Sequence, residues 1–412
     1  MGGAGSGAAG AVEETEPLCP YRLATEGLPV QQLVEATGAE GFEATISAGA
    51  LPPGVEVTRT ARGLEFIGVP TGAGAFDFVV ALVRTAAPGP PVEARCLVDV
   101  VPRPTVNRLA GVDRYEGSAR VAHALSPGPT PLVYIASGEG FADALSATAV
   151  AAARRAPLLL ATSTSVPASV LAELDTQRPS TIVLVGGENT LHTTVAAQLA
   201  ALPWHPDVRR IGGSDRFAVS RALLSDSTVG LPPSTSPRLY LASGTVFADA
   251  LSASVPAATQ GTGVLLVDGA ASRTDPDDLR VLDALGTTEL WLVGGPASIG
   301  DALQDDLSHR FAIVKRTGGV DRYAVSRRIT LQTFPRTTPK PEVFLAAGAM
   351  FPDALTGGVL AGSHRSPLLL VNDCIDRDVA LYLGALAPAE VTLLGGPLTL
   401  PESLDELTVC RS

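Results

Sequence analysis

The chain has 412 residues, a formal net charge of −12, and 46% hydrophobic against 17% charged residues. At about 150 residues per domain this length calls for several hydrophobic cores, and the apolar content suffices to fill them. The acidic balance without any Lys/Arg block argues against nucleic acid as a partner, and no apolar run reaches the roughly 18 residues of a membrane span.

The chain opens with MGGAGSGAAG, which has neither a basic n-region nor an apolar h-region, and residues 1–19 read as a flexible leader. Residues 20–101 hold short alternating segments (FEATIS, VEVTR, LEFIGV, FDFVVALV) separated by turns such as ALPPG and PTGAG. Such spacing predicts a small all-β sandwich. The Leu-Pro-Pro-Gly at 51–54 and the Gly-x-Pro-x-x-x-Gly at 68–74 resemble the Ig-like domains of bacterial surface proteins. VVPRPT, Val100–Thr105, reads as a linker.

Four cysteines, Cys19, Cys96, Cys374 and Cys410, make no CxxC and have no metal-ligand spacing. Two disulfides, Cys19–Cys96 across the β unit and Cys374–Cys410, are expected and favour export. The alternative is four free buried thiols in a cytosolic protein.

From residue 105 onward three motifs recur in order, at intervals of about 105 residues. RLAGVDRY (Arg108–Tyr115) returns as RIGGSDRF (Arg210–Phe217) and RTGGVDRY (Arg316–Tyr323). FADAL, FADAL and FPDAL place Asp143, Asp249 and Asp353, and Gly pairs follow at 186–187, 294–295 and 395–396. Within each copy, continuously apolar strands such as LVYIAS and TIVLV alternate with helical segments, which predicts a parallel sheet covered on both faces. The fold class is therefore multidomain, an all-β sandwich followed by three α/β repeats at 105–209, 210–315 and 316–412. The return strands VRRI, VKRT and VCRS put Arg411 in the place of Arg210 and Arg316, so the C-terminal strand is expected to complete the third sheet.

None of the five histidines recurs at an equivalent place, and no HExxH, GxSxG or Ser/His/Asp arrangement is present. No catalytic residue, metal site or cofactor is expected. The Gly pairs suit either a tight turn or an anion at a helix N-terminus. Asp143, Asp249 and Asp353 open helices, where a carboxylate complements the dipole and accepts first-turn amides; the same loops are where ligands bind in open α/β sheets. At least one arginine of each motif is read as an internal clamp on the motif aspartate, and Arg108, Arg210 and Arg316, at the start of each unit, are expected either to brace the assembly or to face a ligand in a shared groove. The remaining arginines, from the pairs Arg108/Arg114, Arg210/Arg216 and Arg316/Arg322 beside Tyr115, Phe217 and Tyr323, are read as a polar, aromatic surface for a polyanion or glycan.

Together the three ordered motifs resemble the cell wall binding repeat 2 family of Gram-positive surface proteins over residues 105–412. The resemblance implies a pseudo-threefold assembly of three copies in a secreted, wall-located protein. It implies noncovalent attachment to an anionic cell-wall polymer, teichoic-acid-like or another secondary wall polysaccharide. The family's proline-hydrophobic strand, linked to polymer binding, falls on Pro157 and Pro367, whereas the second copy has Gly263. The other readings are an adhesin acting through the Ig-like domain and a wall-active hydrolase. An acidic chain that binds a polyanion must concentrate arginines locally or use a bridging divalent cation, and three weak sites on one frame raise avidity.

Overall fold

A computed structural model describes residues 19–35, 42–84, 90–233 and 236–410; the expected leader up to residue 18, and Arg411, lie outside the described residues. The chain divides into two compact units, residues up to Pro104 with Ala380–Pro388, and Thr105–Val379 with Ala389 onward.

The first unit is β-rich. Its strands are β1 (Leu23–Thr25), β2 (Val30–Glu35), β3 (Phe42–Gly49), β4 (Val55–Thr60), β5 (Gly63–Gly68), β6 (Gly74–Arg84) and β7 (Val92–Val101). They form one sheet in the order β1-β7-β6-β3 and another in the order β2-β5-β4. Alternation in both sheets turns Leu64, Phe66, Phe78, Val80 and Val98 into one shared core, with the Phe66 and Phe78 rings 6.3 Å apart. The two glycine-proline motifs lie against each other: Val69 N donates to Gly54 O (3.0 Å) and Thr71 N to Pro53 O (2.9 Å). A disulfide joins Cys19 to Cys96 on β7. In the chain-entropy view, closing a loop of 77 residues is worth about 4 kcal/mol.

The second unit holds the repeats. After β8 (Thr105–Leu109), the first repeat runs α1 (Arg114–Leu125), β9 (Leu132–Ser137), α2 (Ala142–Arg154), β10 (Leu158–Ala161), α3 (Ala168–Gln177), β11 (Thr181–Val185), α4 (Thr193–Ala200) and β12 (Asp207–Ile211). The second runs α5 (Arg216–Ser225), β13 (Arg238–Ser243), α6 (Phe247–Thr259), β14 (Val264–Val267), α7 (Pro276–Ala284), β15 (Glu289–Val293), α8 (Asp301–Ser308) and β16 (Ile313–Thr317). The third runs α9 (Arg322–Thr333), β17 (Glu342–Ala347), α10 (Pro352–His364), β18 (Leu368–Val371), α11 (Arg377–Leu386) and β19 (Glu390–Leu394). Each repeat carries a four-stranded parallel sheet: β10-β9-β11-β12, β14-β13-β15-β16 and β18-β17-β19-β8.

The strand that completes the third sheet is thus β8, the first of the repeat region, and not the C-terminal strand expected from VCRS. Register gives the reason. Arg210 lies opposite Leu184, Arg316 opposite Leu292, and Arg108 opposite Leu393, so Arg108 takes the third of three equivalent seats. Each sheet therefore borrows its edge strand from the opening motif that follows it, and the third borrows from the first, closing the series on itself. The C-terminal segment does something else: Val409 makes a single parallel bridge to Ile375, and Cys374 and Cys410 are joined by the second disulfide.

Helices α2, α6 and α10 pack against one another. Their alanine content follows from this, because helices buried all round can approach closely only through small side chains. At Gly362 of α10 an added Cβ would stand 2.9 Å from Ala152 Cβ of α2 and 3.0 Å from Ala258 Cβ of α6. The three helices converge there with no room for a methyl group.

Candidate functional site

Ligands of parallel α/β sheets bind beyond the strand C-termini, and here each such edge meets the opening motif of the next repeat. We call these junctions seams: first–second, second–third and third–first.

The first arginine of each motif braces a seam from below. Arg108 Nη1 donates to Gly395 O (2.9 Å) and Leu400 O (2.8 Å), and its Nη2 meets Asp405 Oδ1 at 2.7 Å. Arg316 Nη1 reaches Gly294 O (3.1 Å) and Ile299 O (2.8 Å), and its Nε reaches Gln304 Oε1 (2.6 Å). Arg210 Nη1 reaches Gly186 O (2.9 Å), and the buried Nη2 atoms of Arg210 and Arg316 have no hydrogen-bond partner, the latter lying 3.5 Å from Asp301 Oδ1. These guanidiniums do not clamp the motif aspartates. Asp113, Asp215 and Asp321 are instead N-caps, accepting from Tyr115 N and Glu116 N, from Ala218 N, and from Ala324 N.

The second arginine spans the seam. Arg114, Arg216 and Arg322 donate Nη1 to the carbonyls of Gly138 (2.5 Å), Gly244 (2.7 Å) and Gly348 (2.7 Å) of their own repeats. Each guanidinium also lies over a phenylalanine of the preceding repeat: Arg216 over Phe141 at 5.7 Å, Arg322 over Phe247 at 5.0 Å, Arg114 over Phe351 at 5.8 Å. The three phenylalanines touch each other, with centroids 5.6 to 6.2 Å apart. Tyr115, Phe217 and Tyr323 lie with these arginines against the same glycines, Gly138, Gly244 and Gly348, while the guanidiniums also reach across to the preceding repeat.

Asp143, Asp249 and Asp353 stand behind the arginines. They lie in the first helical turn, yet their side chains turn to Thr190, Ser298 and Thr399 and face Arg216, Arg322 and Arg114. Asp143 is 9% exposed and Asp249 4%. Burial raises all three carboxyls above the ordinary range, against the pull of the hydroxyl and the guanidinium. The first glycine of each pair makes room for them. Gly186, Gly294 and Gly395 have φ of +124°, +119° and +126°, and a Cβ there would sit 2.5 to 2.7 Å from an aspartate oxygen. Tyr115, Phe217 and Tyr323 are partly buried on Gly138, Gly244 and Gly348, where a Cβ would come within 2.4 to 2.7 Å of the ring.

A cleft of about 690 Å³ opens at the first–second seam, lined by Glu139, Phe141, Asp143, Glu188, Asn189 and Arg216 among others. Its neighbours in the repeat pattern differ in chemistry. Glu139 corresponds to Thr245 and Ala349, Glu188 to Pro296 and Pro397, Asn189 to Ala297 and Leu398, and Ser214 to Val320 and Val112. Leu398, Val320 and Val112 are almost fully exposed. Phe141, Phe247 and Phe351 open the FADAL-type motif without a role legible in it, and Thr190, Ser298 and Thr399 after each Gly pair recur unmarked by any motif.

Pro157 and Pro367 are placed away from this cleft and from the corresponding strand ends of the other repeats. Both are buried and precede the first residue of β10 and β18, at the strand end opposite the cleft, and their carbonyls accept Tyr134 N and Phe344 N (2.9 and 2.8 Å). A ligand in the cleft is out of their reach. Among the described residues no group of three His, Cys, Asp or Glu is placed to hold a metal ion, and no helix is long and apolar enough to cross a membrane.

Residues 108–196, 210–304 and 316–405, about two thirds of the chain, each match the family model Cell wall binding domain 2 (CWB2). The chain belongs to this family, and the membership indicates a cell-surface location. It is similar to N-acetylmuramoyl-L-alanine amidase LytC of Bacillus subtilis (strain 168), with 24% identity over 268 residues, 65% of this chain and 50% of LytC. It is 23% identical over 284 residues to the amidase enhancer of the same organism, covering 67% of this chain and 37% of that protein. The chain thus spans half or less of these relatives. Two solved structures share the fold at a TM-score of 0.65: Cwp8 from Clostridium difficile, 20% identical over 81% of this chain and 58% of its own, and Cwp6 from Clostridium difficile, 18% identical over 94% and 67%.

Proposed function

We propose that this chain is a noncatalytic anchor that holds a secreted protein on the Gram-positive wall by binding an anionic secondary wall polymer at its seams. In this reading residues 105–209, 210–315 and 316–412 are three wall-binding repeats in a pseudo-threefold arrangement, and residues 20–101 are an Ig-like spacer. The observation that carries it is the mutual contact of Phe141, Phe247 and Phe351, each under a guanidinium from the next repeat, which gathers three seams around one cluster. Several weak sites on a rigid frame bind a repeating polymer with an avidity that none has alone.

The seams do not share the work equally. An anion entering the first–second cleft meets Glu139, Glu188 and Asp215 besides Arg216. At the other two seams the glutamates are replaced by neutral residues while the arginine remains. Like charges within a few ångströms oppose binding, so the polyanion engages the second–third and third–first seams. The test is cosedimentation with purified sacculi before and after hydrofluoric acid strips phosphodiester-linked polymers. Binding is expected to be lost with the polymers; equal binding to both preparations would sink the anionic-polymer reading.

A further inference from the structure

The second repeat contains a pocket lined by polar residues at positions where the other two repeats bury apolar side chains. On the face of its sheet covered by α5, α7 and α8 lies a cavity of about 390 Å³, walled by Phe217, Leu241, Val267, Leu303 and Leu307, with Arg221 and Asp278 in its lining. It shares no lining residue with the first–second cleft.

The repeats themselves show what changed. Two residues before the third helix of each repeat stand Val166 and Ile375, 3% and 0% exposed, where the second repeat has Thr274. Two residues past that helix start stand Val170 and Val379, 0% and 1% exposed, where the second repeat has Asp278. Both apolar plugs are thus polar in one repeat alone. The loop ahead of α7, residues 268–275, is also longer than its counterparts 162–167 and 372–376.

A carboxylate at a core position opposes folding, and two of three repeats demonstrate that the fold does without it. Asp278 is 3% exposed and its Oδ1 accepts from Arg221 Nη1 at 2.7 Å; the same nitrogen lies 3.4 Å from Asp275 Oδ2. The lining holds Asp268, Asp275 and Asp278 against Arg221 and Arg273, so one carboxylate is in excess. Apolar walls with a few convergent polar groups are the usual make-up of a small-molecule site, and the excess charge sets the sign of the ligand.

We propose that this pocket binds a small organic cation, an ammonium group on a compact apolar body, with Asp278 and Asp275 receiving the ammonium and the phenylalanine and leucines receiving the body. The inference stands apart from the wall-anchoring reading.

Titration of the full chain with benzylammonium, followed by NMR or calorimetry, tests it, with benzoate and benzyl alcohol as isosteric controls. Benzylammonium is expected to saturate with a dissociation constant of about 1 mM or below, and benzoate not to bind. Arg221→Ala/Thr274→Val/Asp278→Val, which rebuilds the first repeat's core, and Ala271→Trp, which fills the mouth without touching the ion pair, are each expected to weaken it by roughly ten-fold or more. Wall binding should be unchanged in both. Absence of saturable binding, equal affinity for benzoate, or undiminished affinity in a folded Ala271→Trp variant would overturn the assignment.

Discussion

Arg108→Leu is expected to lower the unfolding free energy by about 3 kcal/mol, the largest loss among the three equivalent arginines. The substitution strips Gly395 O and Leu400 O of their charged donor and leaves Asp405 without its partner. Because β8 is the edge strand of the third sheet, it also loosens the contact that closes the repeats on themselves. Arg316→Leu, which removes two carbonyl contacts and Gln304, follows at about 2 kcal/mol. Arg210→Leu removes a single described hydrogen bond, to Gly186 O, so roughly 1 kcal/mol is expected. Denaturant titration of the three variants checks the ranking. Wall binding per folded molecule should stay unchanged, since these side chains brace the seam beneath the cleft; loss of binding with stability kept would assign them to the ligand instead.

Arg216→Leu is expected to destabilise by about 3 kcal/mol at neutral pH, because it leaves the buried carboxylate of Asp143 without its cation. The loss should depend on pH in a definite sense. Burial already raises the folded-state pKa of Asp143 above its unfolded value, so the folded state binds the proton more tightly and stability falls as pH rises through the folded pKa. Removing the guanidinium raises that pKa further. The variant therefore approaches the parent in acid, where Asp143 is neutral, and diverges from it as the pH is raised. Arg216→Leu/Asp143→Asn should recover most of the stability, since the amide keeps a partner in Thr190 without a charge. Melts across pH for the parent, the single and the double variant measure both effects; a pH-independent loss would remove the Asp143–Arg216 pair from the seam's energetics.

The alternation of apolar strands with helices made the repeat architecture legible, because parallel strands buried on both faces leave an unmistakable pattern. The motif residues were equally visible, but their partners were not. Arg114 finds Phe351 and Asp353, Arg216 finds Phe141 and Asp143, and Arg322 finds Phe247 and Asp249, always in the preceding repeat. A clamp read within one motif cannot reveal a contact between two. The closing role of β8 was hidden for the same reason: VCRS copies the local pattern of VRRI, whereas the edge seat is decided by which strand can reach it in register. Pro157 and Pro367 are implied as ligand residues by the family resemblance, yet they stand at the buried start of a strand. Ser118, Ser220 and Ser326 went unnoticed although each occupies the same position after the motif. Their hydroxyls accept the amides of Leu160, Leu266 and Leu370 (3.0 to 3.1 Å), supplying the edge strand with a partner that no neighbouring strand provides. Asp278 stands out only against Val170 and Val379, its buried apolar counterparts in the third helices of the other repeats.

Blocking the clefts one by one separates binding from stability. Asn189, Ala297 and Leu398 occupy the same exposed position of the loop after each Gly pair, where a tryptophan fills the cleft mouth without entering the core. Sacculus binding should survive Asn189→Trp, whose cleft is already hostile to anions, and should fall by at least ten-fold in Ala297→Trp/Leu398→Trp, with thermal stability close to the parent in both. Full wall binding by a folded Ala297→Trp/Leu398→Trp protein would contradict the assignment of the seams as the polymer-binding sites.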